Sequence, residues 1–356
     1  MYSNAIKIEK VSNFFLDNQF KLYWKEGGLY NVQHNNLLAN VKGNIFQVFK
    51  KDNLIVVNYF SSDDGMEMLC EFKINEDFKL IKTKEEKKFL KEIENNVVLE
   101  LSYDSSFNTI LNVVKFDGEK IIESIVDPFG FKLFETIFVS WDKLKLVLYE
   151  LKKGTKLFEF SFSKLINGVN DEETNVEVVS ILGVYKKVLW ILVTHRKIIG
   201  LDVENGTLLH KIDLSKELGL APNSSEDFSF SVKDVHIDNE KGIIKSLSYR
   251  YYWELNLDTF QIQIKKDFGE NSKESWRINR SKYYSGDRNL YFIGTNKGEV
   301  VNRAVGVFDT ENFEVIWFEA PLEERKHLFF TDVPQVNNEV LGVMDSENNL
   351  RVYERN

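Results

Sequence analysis

The sequence predicts an all-β propeller of four-stranded antiparallel blades, eight in preference to seven. Three observations carry this: hairpins that repeat in shape, turns that recur at blade spacing, and a strand-rich composition. The hairpin is clearest over Lys197 to Asp213, KIIGLDVENGTLLHKID. There Ile199, Leu201 and Val203 alternate into Glu204-Asn205-Gly206, and Leu208, Leu209 and Ile212 follow. The same shape returns at Ala304 to Glu319, AVGVFDTENFEVIWFE, with Asp309 in the place of Asp202 and Trp317 in that of His210. The 356 residues include 28 Phe and 14 Tyr, which suit half-buried strands, and only 4 Pro, so no flexible linker divides the chain. A single domain over 1–356 is expected, because repeat folds grow by adding units.

In chain order, Asn4 to Val11 alternates as one strand with no hairpin partner before it. Phe20 to Trp24, Leu29 to Val32 and Leu37 to Val41 make a partial first unit. The first complete set is Ile45 to Phe49, Leu54 to Phe60, Met68 to Ile74 and Phe78 to Lys82. The third unit holds Val97 to Tyr103, Ile110 to Phe116 and Ile121 to Val126, turning on Asp117-Gly118. The fourth holds Phe134 to Trp141, Leu144 to Leu151 and Lys156 to Phe162. Val176 to Leu182 and Val188 to Thr194 lead into the long hairpin of the fifth. The sixth uses Phe228 to Ile237, Ile243 to Tyr249, Tyr252 to Leu257 and Phe260 to Lys265. The seventh uses Leu290 to Gly294, Ala304 to Phe308 and Phe313 to Phe318; the last has Phe329 to Val333, Val340 to Met344 and Leu350 to Tyr353. A last unit of three strands and a spare strand at the N-terminus fit together. The spare is expected to pair as the outer strand of the last blade, closing the ring and removing a free sheet edge.

The hairpin at Asp202 resembles the repeat of the quinoprotein-like (PQQ-type, WD40-like) propeller superfamily, roughly A-x-D-x-x-T-G-x-x-x-W. Gly200, Asp202, Asn205, Gly206 and His210 stand at those positions; in the seventh unit Asp309 and Trp317 match while Val307, Asn312 and Phe313 depart. The resemblance implies a propeller and no particular chemistry, since such folds host enzymes, scaffolds and binding modules alike. No residue here takes the place of the cofactor's stacking or metal-binding groups, so no cofactor is expected.

A net charge of -9 lacks the positive field that coating nucleic acid or an anionic membrane requires, and it suits a basic partner or plain solubility. The N-terminal stretch has no signal-peptide core and Cys70 is the single cysteine, so a cytoplasmic protein is expected. His34, His195, His210, His236 and His327 lack zinc-site spacing, and no nucleophile elbow, phosphate-cradling loop or calcium loop occurs. No catalytic or metal-ligating residue is assigned. Tyr249-Arg250-Tyr251-Tyr252-Trp253 and Trp276-Arg277-Ile278-Asn279-Arg280 have the look of base-stacking segments, but on an alternating strand they divide between core and solvent faces.

In such blades the link from the outer strand to the next inner strand leaves from the same face as the turn between strands two and three. The longest links, Lys82 to Asn96, Ser163 to Asn175, Leu214 to Asp227, Lys266 to Lys282 and Glu319 to His327, are therefore expected to crowd one rim. Thr83 and Glu86 form a capping box before Phe89, Leu90 and Ile93, and Leu214 to Leu218 reads as one helical turn. That rim presents Glu172, Glu173, Glu226, Asp227, Glu323 and Glu324, with Phe131, Trp276 and His327 as apolar or aromatic anchors. The function expected is non-enzymatic binding of another protein, one of basic character, by this acidic face; a bacterial inhibitor or immunity-type protein that neutralises a basic toxin is one version. The alternative is a carbohydrate-binding or hydrolytic propeller with paired carboxylates around a ligand in the central channel.

Overall fold

Strands such as VLWILV and AVGVFD carry apolar side chains on both faces, so a sheet built on them must be covered on both sides, and stacking sheet upon sheet around an axis does this. The structure, a computed structural model, describes the chain except residues 1, 19, 64, 76–78, 87–88, 95–96, 104, 107, 116–117, 127, 166–175, 195, 219–233, 270–275, 285–286, 297–302, 321–326 and 356. It is an eight-bladed β-propeller in which every blade is a four-stranded antiparallel sheet.

β1 (Tyr2–Ile8) is set apart. Blade 1 is β2 (Asn13–Leu16), β3 (Lys21–Lys25), β4 (Gly28–Asn31) and β5 (Leu37–Asn40); blade 2 is β6 (Gly43–Lys51), β7 (Leu54–Ser61), β8 (Glu67–Ile74) and β9 (Leu80–Glu86). Blade 3 is β10 (Phe89–Glu94), β11 (Val97–Tyr103), β12 (Thr109–Lys115) and β13 (Lys120–Val126); blade 4 is β14 (Gly130–Leu133), β15 (Ile137–Trp141), β16 (Lys145–Glu150) and β17 (Thr155–Ser161). Blade 5 is β18 (Val178–Tyr185), β19 (Val188–Val193), β20 (Lys197–Asp202) and β21 (Leu208–Asp213); blade 6 is β22 (Val235–Asp238), β23 (Ile243–Ser248), β24 (Tyr251–Asn256) and β25 (Ile262–Asp267). Blade 7 is β26 (Trp276–Tyr283), β27 (Asn289–Asn296), β28 (Ala304–Asp309) and β29 (Glu314–Glu319). Blade 8 is β30 (Gln335–Val336), β31 (Val340–Met344) and β32 (Leu350–Arg355), with β1 as its fourth strand.

The core is a set of wedges between blades. Leu22 and Trp24 of blade 1 pack with Ile55 and Val57 of blade 2, Phe160 of blade 4 with Leu189 and Ile191 of blade 5, and Trp190 of blade 5 with Ile244 and Trp253 of blade 6. The last two wedges join the ends of the chain: Tyr291 and Val305 meet Tyr2 and Leu341, and Val352 and Leu350 meet Phe14 and Tyr23. The expected closure by the N-terminal strand is present, as β1 runs antiparallel to β32 from Tyr2↔Arg355 to Ile8↔Leu350. Side chains bolt blade 8 to blade 1: Gln335 Nε2 donates to the Phe14 carbonyl at 3.0 Å, Asn337 Nδ2 donates to the Asp17 carbonyl at 2.6 Å, and Lys21 pairs with Glu339.

The repeated hairpin has a local cause. The Asp202 carboxylate accepts from the Glu204 and Asn205 N–H groups at 2.8 and 3.1 Å, and Asp309 does the same for Glu311 and Asn312 at 2.8 and 3.2 Å. Gly206 closes the turn at φ +71°, with the Phe158 ring 2.5 Å from where a Cβ would sit. His210 lies opposite Gly200 and Trp317 opposite Val307, and each reaches the following blade. His210 lies 4.5 Å from the Phe260 ring, and Trp317 packs at 5.2 Å on both Tyr353 and Tyr2.

Four of the units read as three-stranded are completed by first strands that the sequence pattern hid: β2, β10, β14 and β26. The segment Lys82 to Asn96, expected as a rim loop with a helical capping box, instead carries β9 to Glu86 and β10 from Phe89. Thr83 Oγ1 donates to the Glu71 carbonyl at 3.2 Å across the sheet, so the hydrogen-bond ladder outcompetes the local helical signal. Lys266 to Lys282 likewise contains most of β26, which leaves 268–275 as the link. The last blade opens at Gln335–Val336, with Phe330 in an isolated bridge to Asp345, in place of a strand over Phe329 to Val333. The turn expected at Leu214 is α1 (Leu214–Glu217), capped by Asp213, whose carboxylate accepts from the Lys216 N–H. Cys70 is buried, and burial pushes its thiol up to about 11.

Candidate functional site

The first strand of each blade is the innermost. First strands of neighbouring blades touch one another, β2 with β30, β6 with β10 and β18 with β22, whereas the fourth strands β9, β21, β25 and β29 are largely solvent-facing. Side chains on first strands therefore face either a blade interface or the central channel.

β26 shows how one strand supplies both. In WRINRSKY, Trp276, Ile278 and Ser281 are buried while Arg277, Asn279, Arg280 and Lys282 are exposed, the expected division of core and solvent faces. A bulge between Ile278 and Arg280 puts two exposed residues in succession. Arg280 Nη1 holds Asp332 at 2.8 Å; Lys282 Nζ lies 4.8 Å from the centre of the Tyr284 ring, whose hydroxyl donates to the Pro334 carbonyl at 2.7 Å. From blade 6, His236 sets Nε2 3.2 Å from the Ser281 carbonyl; a carbonyl only accepts, so Nε2 carries the proton.

Two of these groups have displaced proton affinities. Lys282 reaches solvent yet is walled in by protein; this desolvation pulls its ammonium below the ordinary lysine value, Asp332 opposes that, and Arg280 and Lys132 add to it. Lys132 is exposed on β14, the first strand of blade 4. Burial pulls His236 down to about 4, with the cations Lys282 and Lys245 adding to the effect against the bond to Ser281. Because the folded state refuses a proton that the unfolded state accepts near 6.5, the contribution of neutral His236 is fully present above that pH and is lost as pH falls towards 4. The loss by pH 5 is expected to be about 2 kcal/mol. Urea midpoints at pH 7 and pH 5 for the wild type and His236→Gln check this; the expected result is a shallower pH slope for the variant, and equal slopes would refute it.

Carboxylates near this wall are engaged. Asp332 is held by Arg280, and the buried Asp238 accepts from Lys245 Nζ at 3.1 Å and the Tyr283 hydroxyl at 2.9 Å. Among the described residues no group of three or more His, Cys, Asp or Glu side chains is placed to hold a metal ion, and no helix is long and apolar enough to cross a membrane.

Of the rim residues expected from sequence, Glu172, Glu173, Glu226, Asp227, Glu323 and Glu324 lie outside the described residues. Phe131 and Trp276 are not on rim loops. Phe131 is half-buried on β14, packed against the wedge between blades 3 and 4; Trp276 is 1% exposed on β26, edge-on to Phe292 and Phe318. Ladder pairing, Phe131↔Ser140 and Trp276↔Asn296, draws both into the sheets. His327 is exposed, with Nε2 3.1 Å from Glu347. Sequence reasoning did not single out Lys282; the alternation of cations at Arg280 and Lys282 on β26 was the available signal.

The rim itself is lopsided. Links between blades are short in the first half of the ring, 41–42, 87–88 and 127–129, and long in the second, 162–177, 214–234, 268–275 and 320–334. The long links follow four successive blades, 4 to 7, and each joins a fourth strand to the next first strand.

Fold and site thus define the class of protein as an eight-bladed propeller with longer links between blades in one half of the ring. The sequence matches no protein-family model and no curated protein. Similar solved structures are the computationally designed Ika8 protein (11% identity, 98% of this chain and 96% of that one, TM-score 0.58) and BamB from Moraxella catarrhalis (10%, 100% and 98%, 0.51). Another is Chaetomium thermophilum Sqt1 bound to the N-terminus of the ribosomal protein L10 (9% identity, 99% and 94%, TM-score 0.58). At such identities the likeness is one of fold, and it agrees with the propeller that the hairpin resemblance implies.

Proposed function

We propose that this chain is a non-enzymatic propeller that binds another protein on the face where its long between-blade links gather. The observation that carries the reading is the asymmetry of those links: links of two or three residues suffice in the first half of the ring, so the extra length in four successive blades serves something other than closure. The structure of Sqt1, similar in fold, holds the N-terminus of another protein and so supports a protein as the class of partner. The sequence within those links, NDEET, SSED and PLEE among them, is rich in acid, which favours a basic partner; an inhibitor that neutralises a basic toxin is the sharpest version.

The test is capture from native lysate at low and high salt, comparing the wild type with a variant carrying Glu172→Lys, Glu173→Lys, Glu226→Lys and Asp227→Lys. A Lys186→Glu, Lys187→Glu variant serves as control, its changes lying in the β18–β19 turn on the opposite face. A stoichiometric basic partner that is lost at high salt and from the four-site variant alone is the expected result. A partner retained by that variant moves the site elsewhere, and a glycan bound in place of any protein overturns the reading.

A further inference from the structure

Strands two, three and four of blades 5, 6 and 7 each turn a row of cross-strand partners toward the following blade. In blade 5 the row is Trp190, Gly200 and His210; in blade 7 it is Tyr291, Val307 and Trp317. The middle residue stands two before the Asp202 or Asp309 turn. In blade 6 the turn is held by Asn256, whose Oδ1 accepts from the Asp258 and Thr259 N–H groups, and the same row is Lys245, Glu254 and Gln263. His210 and Trp317 fill their wedges by packing on rings of the next blade, Phe260 at 4.5 Å and Tyr353 at 5.2 Å. Blade 6 carries Gln263 at that place. What stands there is a cavity of about 220 Å³ lined by Glu254, Asn256, Thr259, Gln261, Gln263 and Lys265.

We propose that this cavity binds a single neutral pyranose ring. Its volume is below the roughly 300–1,000 Å³ of pockets for drug-sized ligands, which limits the occupant to about one ring. The lining is polar apart from Ile243, and its charges are one carboxylate and one ammonium, so an ionic ligand would leave one of them opposed. Free hydrogen-bonding groups of both kinds remain. Glu254 Oε1 accepts from the Tyr252 hydroxyl at 2.5 Å and Gln263 Oε1 accepts from Lys265 Nζ at 2.8 Å. Glu254 Oε2, Gln263 Nε2, Asn256 Nδ2 and the Gln261 amide have no hydrogen bond among the described residues. Hydroxyl groups, each able to donate and accept, suit such a mixed set better than a pure donor or acceptor does. The Phe313 ring of blade 7, its centre 5.9 Å from Lys265 Nζ, stands beside the cavity as an apolar surface for ring C–H groups. The cavity lies at the β24–β25 turn, the end of blade 6 away from the link at 268–275, so this proposal and the protein-binding reading fail independently.

The test is a ligand-observed NMR titration of the intact chain with glucose, galactose, mannose and N-acetylglucosamine, each as the free sugar and as its methyl glycoside. Saturable one-to-one binding of at least one of them is expected, at about 1 mM or tighter. Gln261→Ala, which removes an exposed amide without a partner, should weaken it about tenfold. Gln263→Trp gives blade 6 an aromatic like those of its neighbours; it should abolish binding while the chain melts at or above the wild-type temperature. Lys156→Gln, on the outer strand of blade 4, should leave binding unchanged. Cyclohexanol should not bind, and glucosamine and glucuronate should bind more weakly than the neutral sugars. A free sugar favoured over its glycoside supports a monosaccharide as the ligand, and equal binding supports the end of a glycan. No saturable binding of any neutral sugar, binding untouched by both Gln261→Ala and Gln263→Trp, or a preference for a charged sugar overturns the proposal.

Discussion

Removing residues 1–8 is expected to abolish cooperative folding. β1 is the fourth strand of blade 8 and follows β32 in space although it precedes it by almost the whole chain. Its loss strips two buried side chains, Tyr2 and Ile8, from the wedges on either side of blade 8, and takes the Tyr2 ring off Trp317. At about 1.5–3 kcal/mol for each buried side chain and about 1 kcal/mol for each ladder hydrogen bond, the total is on the order of 5–10 kcal/mol. That equals the whole stability of an ordinary domain. The bared edge of β32 also becomes a template for pairing with another copy. Urea unfolding followed by circular dichroism, with light scattering for aggregation, reads the effect. Tyr2 lies opposite Arg355, so a permutant in which a short linker joins Asn356 to Met1 turns β32 and β1 into one hairpin and should restore a single transition. A truncated chain with the wild-type midpoint would show that the ring does not depend on its closure.

The second large effect is at Asp238. Its carboxylate, almost wholly buried, accepts from Lys245, the Tyr283 hydroxyl and the Lys241 N–H, and Lys245 lies over the Tyr283 ring at 3.9 Å. Burial raises the proton affinity of Asp238, but these donors outweigh it and hold the carboxyl below the ordinary aspartate value. Lys245 is also held below its ordinary value, because its burial exceeds what Asp238 returns. Asp238→Ala is therefore expected to cost about 3–5 kcal/mol, chiefly by leaving the Lys245 ammonium buried and unpaired. Asp238→Ala combined with Lys245→Met is expected to recover much of that loss, since the pair itself contributes little net stability. The depressed carboxyl places its contribution at neutral pH, lost as pH falls through the folded value, so the gap between wild type and Asp238→Ala should narrow in acid. Urea midpoints for the four corners of the cycle decide it; a double variant as unstable as Asp238→Ala alone would mean that packing, and not the stranded charge, sets the cost.

The strands that sequence reading found are those whose two faces are both apolar or whose turns carry their own chemistry. β19 and β20 are buried along nearly their whole length, and the Asp202 and Asp309 turns satisfy their own N–H groups within three residues. The strands it missed are first strands of their blades. NFFL, GFKL and WRINRSKY do not read as core strands because one side of an inner strand meets the channel, where polar and charged residues are tolerated. FLKEIE read as helix from its i, i+3 and i+4 apolar spacing, and only the ladder with β11 makes it a strand. The same circumstance hid the contact of His236 with β26, since the two lie on neighbouring blades.

By itself, then, the sequence determined the all-β class, the repeating hairpin, the blade as unit and the closure of the ring by the first strand. These rest on side-chain alternation, turn chemistry and a strand count that must balance, all of which act within a few tens of residues. Only the tertiary structure decided which strands are innermost and that Trp276 belongs to the core. Those facts depend on blades being brought around an axis, and contacts between strands distant in sequence have no local pattern to announce them.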